Sequence, residues 1–254
     1  MLKAFVRTSS GLRRCTDKCF SFGVCSMSKI FSYFSKAEIA LWLFAAAMIT
    51  GSAALFGGGN LLTLIASLIG ITAIIINAKG NPFGQLMGFI FALFYGYISW
   101  GFSYYGEMIT YLGMTGPMSA LSFISWIRNP YKKGKAEVRV NTIKAPEVLF
   151  MCLLTAAVTV LFFFILRFFN TANLIPSTLS VTTSFAAVYL TFRRSEYFSL
   201  VYALNDIVLI ILWGLASFTE RTYISVSICF TMFLVTDIYG FICWRRMKCR
   251  QAEQ

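Results

Sequence analysis

Apolar runs long enough to cross a membrane, separated by short polar or basic stretches, recur along almost the whole chain. A hydrocarbon layer about 30 Å thick takes roughly 20 helical residues to cross. A window of about that length finds apolar spans at 39–56, 61–77, 82–103, 108–127, 147–168, 174–192, 197–217 and 222–244. The pattern predicts an all-α polytopic membrane protein of about eight transmembrane helices.

The basic residues orient these spans, because short loops rich in Lys and Arg stay in the cytoplasm. The N-terminus, the loop with Lys79, the loop from Arg128 to Lys144, the pair Arg193 and Arg194, and the tail with Arg245, Arg246, Lys248 and Arg250 all fall on one side. The other side receives Gly57 to Asn60, Tyr104 to Glu107, the turn near Arg167, and Thr219 to Arg221. Both termini are therefore expected in the cytoplasm, with the chain in the cytoplasmic (inner) membrane. Spans two to four and six to eight then run in the same order of directions, and the fifth connects them. This is a 3+1+3 plan of parallel repeats with one extra N-terminal helix, and transporter halves are often duplications of this kind. A sequence echo accompanies it. Trp100-Gly101 followed by Glu107 recurs as Trp213-Gly214 followed by Glu220, and Trp126-Ile127-Arg128 is matched by Trp244-Arg245-Arg246. The expected organisation is a basic extension over 1–36, a transport domain over 37–246 (triplets 61–127 and 174–244 around a linker helix 147–168), and a tail over 247–254.

Composition removes most other classes. With 58% of residues hydrophobic and 13% charged, the chain has more apolar surface than a soluble domain can cover. The net charge of +12 lies in flanks and loops rather than along one soluble face, so it reads as an orientation signal and not as a nucleic-acid surface. The seven Cys form no CxxC pair and there is no His, which argues against a zinc site and removes the commonest general base. No metal, cofactor or catalytic group is expected, and the chain reads as a transporter rather than an enzyme. The first 36 residues lack a compact apolar core before a small-residue cleavage site, so no cleaved signal peptide is expected. Met27 opens a stretch resembling a natural start, and residues 1–26 read as an extension.

An ionisable side chain deep in a membrane helix costs about 2.5–3.5 kcal/mol on insertion scales, so such residues are functional candidates. Asp206, beside Asn205, lies near the middle of the seventh span, and Asp237 lies in the inner half of the eighth, followed by Tyr239. The plainer role for Asp237 is a bond to a Ser, Thr or Tyr on a neighbouring helix. Gln85 lies one turn after Pro82, and Asn77 closes the second span; capping a helix end is the competing use of either amide. Gly116-Pro117, midway along the fourth span, predicts a kink. Flat cationic rings stack on aromatic faces, and Trp100, Trp213, Tyr95, Tyr97, Tyr202 and Tyr239 offer them, although Trp100 and Trp213 also suit an interfacial belt. The candidate substrate-binding set is Gln85, Tyr95, Tyr202, Asn205, Asp206, Trp213, Asp237 and Tyr239, suited to a small ligand with a cationic or polyhydroxylated part. Two acids on adjacent helices also suit a proton carrier, or an aspartyl protease, although no GxGD motif surrounds either.

The run NPFGQLMGFIFALFYGYISWGFSYYGEMITYLGMTGPMSALSFISWIRNPY (Asn81 to Tyr131) resembles the PnuC family of vitamin transporters, in the nicotinamide riboside branch found in Firmicutes. So do RRSEYFSLVYALNDIVLIILWGLAS in the second half and TDIYGFICWRRM near the C-terminus. The resemblance covers about residues 27–248. It implies a SWEET-like 3+1+3 fold, a homotrimer, and facilitated uptake of nicotinamide riboside, an NAD precursor, trapped inside by a cytosolic kinase. Relatives carry thiamine, riboflavin or deoxynucleosides, which leaves a proton-coupled or facilitative carrier of one of these as the alternative. The family's tryptophan motif early in a second-half helix is replaced here by Tyr197, Leu200 and Tyr202. The resemblance and the residues together put Asn205 and Asp206 on the ribose or carboxamide, Gln85 opposite, and Trp213, Tyr202 or Tyr95 near the ring.

Overall fold

The computed structural model describes residues 33–56, 61–101, 105–132, 136–171 and 173–253. The expected extension over 1–26, its cysteines, and the linker 57–60 lie outside them. The chain divides into two units, residues 1–41 and 42–254. In the first, Ser35 N–H donates to Glu38 Oε2 at 2.7 Å and Glu38 N–H to Ser35 Oγ at 3.2 Å. This reciprocal S-x-x-E capping box satisfies two amides that the first turn would otherwise leave open, and fixes where the first helix begins.

The described elements are α1 (Lys36–Phe56), α2 (Leu61–Ala78), α3 (Phe83–Gly101), α4 (Tyr105–Thr110), a π turn (Tyr111–Thr115), α5 (Gly116–Arg128), α6 (Ala145–Phe168), α7 (Leu174–Phe192), α8 (Phe198–Ser217) and α9 (Tyr223–Ala252). Seven of them, α1 to α3 and α6 to α9, are long and apolar enough to cross a membrane. The remaining expected span, the fourth, is α4, the π turn and α5 run together, and it differs from a uniform α-helix for a reason visible in its sequence. Pro117 has no N–H to give Gly113, and Gly116 N–H reaches back five residues to Tyr111 O. Where a kink was expected at Gly116-Pro117, the structure has a π bulge.

The last helix was expected to end at Trp244 and instead continues to Ala252. Side-chain bonds to the connecting segment hold the extra turns. Arg250 Nη2 donates to both Glu137 carboxylate oxygens at 2.6 Å, Gln251 Nε2 donates to Glu137 Oε1 at 2.8 Å and Val138 O at 3.1 Å, and Val140 N–H donates to Gln251 Oε1 at 2.9 Å. Gly80, at φ +66°, ends α2, and its carbonyl accepts Val138 N–H at 2.9 Å.

The helices of the second unit pack as two sets of three. Within the first, α2 lies on α3 and α3 on α5; within the second, α7 lies on α8 and α8 on α9. Across the sets, α2 packs on α9 and α5 on α7, so the first helix of each set meets the last helix of the other. Matched bonds close these two seams at the basic end. Trp126 Nε1 donates to Thr191 O at 2.9 Å and Trp244 Nε1 donates to Asn77 O at 2.8 Å, with the two indoles 5.2 Å apart. Nearby, Glu196 is buried and receives Arg245 Nη1 at 3.2 Å and Lys248 Nζ at 2.8 Å, while Arg193 pairs with Glu147. At the opposite end Ser225 Oγ donates to Ser52 O at 3.0 Å, and Gly106 lets α4 approach Leu166 and Thr171 where a Cβ would lie 2.4 Å and 2.5 Å from their side chains.

Thr191 O and Asn77 O each also accept a backbone N–H, from Arg194 at 3.0 Å and Gly80 at 2.9 Å, so losing an indole donor removes one hydrogen bond without orphaning the carbonyl, at a cost of about 0.5–1.5 kcal/mol. Trp126→Phe and Trp244→Phe are each expected to lower stability by about that much in thermal unfolding of the detergent-solubilised protein. A midpoint unchanged in both variants would show that these bonds do not hold the seams.

Candidate functional site

Between the two sets lies a cavity of about 110 Å³, lined by residues of α2, α3, the π turn, α5, α7, α8 and α9. Gln85, on the first turn of α3, donates through Nε2 to Asn77 Oδ1 at the end of α2 at 2.8 Å. The two helices come close enough for this because residue 84 is Gly: a Cβ there would sit 2.3 Å from Asn77 Oδ1.

Asn205 and Asp206, side by side on α8, are both buried. Thr183 Oγ1, Ser184 Oγ and Ser180 Oγ on α7 converge on Asn205 Oδ1 at 2.8, 3.1 and 3.3 Å. With its oxygen committed to α7, the amide's donors are what Asn205 has to offer the cavity. Asp206 Oδ2 is buried and has no hydrogen-bond donor among the described residues. Asp237 on α9 interacts directly with Asp206 and accepts Ser199 Oγ at 3.2 Å. The packing role foreseen for Asp237 is therefore present, and so is a place on the cavity wall.

Aromatic layers close this space at both ends. Toward the basic end Phe198 lines the cavity and packs edge-on against Trp244 at 4.8 Å and Trp126 at 6.1 Å. Toward the other end, Phe91, Phe230 and Phe233 line it, with Phe233 5.7 Å from Phe230 and 6.1 Å from Phe91. The same three rings also line a second cavity of about 320 Å³ beyond them.

The candidate residues divide between these spaces. Gln85, Tyr202, Asn205, Asp206 and Asp237 line the central cavity, whereas Tyr95 and Trp213 line the second one. Tyr239 lines neither. Tyr97 and Trp100 are 61% and 58% exposed, on the surface that lipid would cover. Of the positions where the family's tryptophans were sought, Tyr197 and Leu200 are exposed, while Tyr202 reaches the cavity. Sequence reading missed Phe91, Tyr111, Thr115, Ser119 and Ser184, which also line the central space. Small hydroxyls and phenylalanines are common in any membrane helix. Ser119 carried one signal: like Asp237, it lies seven residues before the tryptophan that ends its own set, Trp126 or Trp244.

A profile of the family described as nicotinamide mononucleotide transporter matches residues 60–246. Among curated proteins, the chain is 27% identical over 220 residues to a nicotinamide riboside transporter PnuC of Neisseria mucosa, covering 85% of this chain and 83% of that one. It is 25% identical over 188 residues to a protein of the same name in Haemophilus influenzae, covering 73% and 80%. Among solved structures, a crystal structure of the vitamin B3 transporter PnuC superposes with a TM-score of 0.74 at 22% identity, covering 86% of this chain and 94% of that one.

Close packing around Asp237 gives a test. A methyl group on Gly240 would lie 2.7 Å from Ser199 Oγ, the donor to Asp237, while one on Gly214 would meet nothing within 4 Å. Gly240→Ala is expected to lower stability by about 1–3 kcal/mol through overpacking. Gly214→Ala should be neutral, or stabilising by up to about 1 kcal/mol from helix propensity. Equal unfolding midpoints for the two variants would contradict this packing.

Proposed function

The chain belongs to the nicotinamide mononucleotide transporter family, and on that premise we propose that it carries nicotinamide riboside across the cytoplasmic membrane by facilitated movement. One observation carries this reading: Asp206, buried in the central cavity with the Asp237 carboxyl as the partner of its acid group and Oδ2 otherwise open among the described residues, stands beside Asn205 and the rings of Tyr111 and Tyr202. A carboxylate held out of water is the complement of a pyridinium cation, and aromatic faces add about 2 kcal/mol or more when the cation is desolvated. The donors of Asn205, with Gln85, Ser119 and Ser184, suit the carboxamide and the ribose. Specificity also comes from what the cavity would repel. Its charged lining residues are two acids with no Lys or Arg among them, so a phosphate on the ligand would be opposed. This favours the nucleoside over the mononucleotide in the family's description.

A cavity of about 110 Å³ is smaller than the roughly 300–1,000 Å³ of typical small-molecule sites, so the described conformation must widen to hold the ligand. Transport then requires the Phe198 layer and the Phe91–Phe230–Phe233 layer to open in turn. The Lys and Arg of the loops at the basic end support a cytoplasmic position for that end, and the sequence supports the same side for both termini. The paired seams α2 on α9 and α5 on α7, each closed by an indole N–H, support the 3+1+3 parallel-repeat plan. We further propose a homotrimer, for which α6 leaves Leu149, Phe150, Leu153 and Phe164 exposed, and capture of the imported nucleoside by a cytosolic kinase.

Calorimetry on the purified protein, comparing nicotinamide riboside with thiamine, riboflavin, thymidine and nicotinamide mononucleotide, tests the assignment. Nicotinamide riboside should bind selectively, and Asn205→Ala should weaken it by about tenfold. Thiamine, also a cation, is the informative competitor. Preferential thiamine binding, or undiminished affinity in a folded Asn205→Ala, would overturn the substrate or its placement.

A further inference from the structure

The second cavity is about 320 Å³, larger than the central one and within the range typical of small-molecule sites. It lies at the end opposite the basic loops, among the C-terminal half of α3, the start of α9 and the end of α8. Its lining contains two acids, Glu107 and Glu220, and no Lys or Arg. A cleft whose charges share one sign and whose walls are apolar focuses the field and concentrates counter-ions.

Glu107 is the half-buried member and Glu220 the exposed one. Its Oε2 has no donor among the described residues, while Tyr95 hydrogen-bonds its carboxyl group. Glu107 and Trp213 also line an adjoining cleft of about 190 Å³ with Asn170, Thr171 and Asn173, so ligand can approach this wall from either side. Trp213 lies 5.2 Å from Tyr223, ring centre to ring centre, and both line the larger cavity. A carboxylate with one oxygen left open, beside an indole and a phenol, is the pattern that holds a flat organic cation. Phe91, Phe230 and Phe233 line both this cavity and the one that holds Asp206.

We propose that this outer cavity is a second binding site, distinct from the central one, in which Glu107 and Trp213 hold an aromatic cation before it passes the phenylalanine layer. The proposal rests on the reading of the chain as a carrier of a pyridinium nucleoside. It makes transport a two-station process: Glu107 and Trp213 collect the ring by charge and stacking, and Asn205 and Asp206 then select it. The ribose plays no part at the outer station.

The probe is 1-methylnicotinamide, a permanent pyridinium with the carboxamide and no ribose. Pyridinium rings quench indole fluorescence on contact, and no Trp lines the central cavity, so Trp213 reports the outer station alone. With the full chain in detergent, titration should give saturable quenching that is absent in Trp213→Phe and shifted to about tenfold higher concentration in Glu107→Gln. It should be unchanged in Asn205→Ala, with size-exclusion profiles confirming that each variant is folded. Quenching that survives Trp213→Phe, keeps its midpoint in Glu107→Gln, or disappears in Asn205→Ala would overturn the second site. Failure of the central-site reading looks different: nicotinamide riboside then gives no selective calorimetric signal while the Trp213 quenching persists.

Discussion

Inside a hydrocarbon layer a polar group that finds no partner in the protein finds none at all, and this constraint organises the structure. Hydroxyls on the helices return to carbonyls four residues back, as Thr72 does to Leu68 and Thr236 to Met232. Carbonyls at the ends of α2 and α7 receive the indole N–H groups of α9 and α5. Against that background two acid oxygens on the helices, Asp206 Oδ2 and Glu107 Oε2, are left open among the described residues. A membrane protein keeps such a group at a cost of a few kcal/mol, and a ligand that supplies the missing charge recovers it.

The same constraint links fold to mechanism. Two sets of three helices meet along α2–α9 and α5–α7, and the central cavity lies where those seams converge. Phe198 lines the cavity and packs on both seam tryptophans, so the ring closing the site at the basic end is mechanically tied to the bonds that hold the sets together. At the opposite end, closure depends on phenylalanines from α3 and α9 and on the π turn that carries Tyr111 beside Phe91 at 6.0 Å. A π bulge shifts the registers of the helix before and after it, which gives that end a natural place to flex.

Most of the architecture was legible because it rests on periodic, one-dimensional signals. Runs of apolar residues set the spans, and Pro117 marked the disturbed helix before its form as a bulge was visible. Helix α9 overran its expected end because the bonds from Arg250 and Gln251 to Glu137 join residues more than a hundred positions apart. The site was legible where chemistry is rare: Asp206, Asp237, Asn205 and Gln85 stand out in apolar helices, and all four line one cavity. The aromatic residues were not, because forty-three aromatics in one chain carry no label for ring, belt or gate. Depth along a helix separates Trp213 from Asp206, and only the folded arrangement shows that a layer of phenylalanine lies between their cavities.

The account's central claim is passive passage of a cationic nucleoside through the Asn205–Asp206 cavity. Flux of labelled nicotinamide riboside into vesicles containing only the purified chain, with no kinase or ATP, tests it most directly. The account predicts influx that stops when inside and outside concentrations are equal, and that is lost in Asn205→Ala. Accumulation above the outside concentration that a protonophore collapses would contradict it, because the buried acids would then be carrying protons rather than holding the ligand.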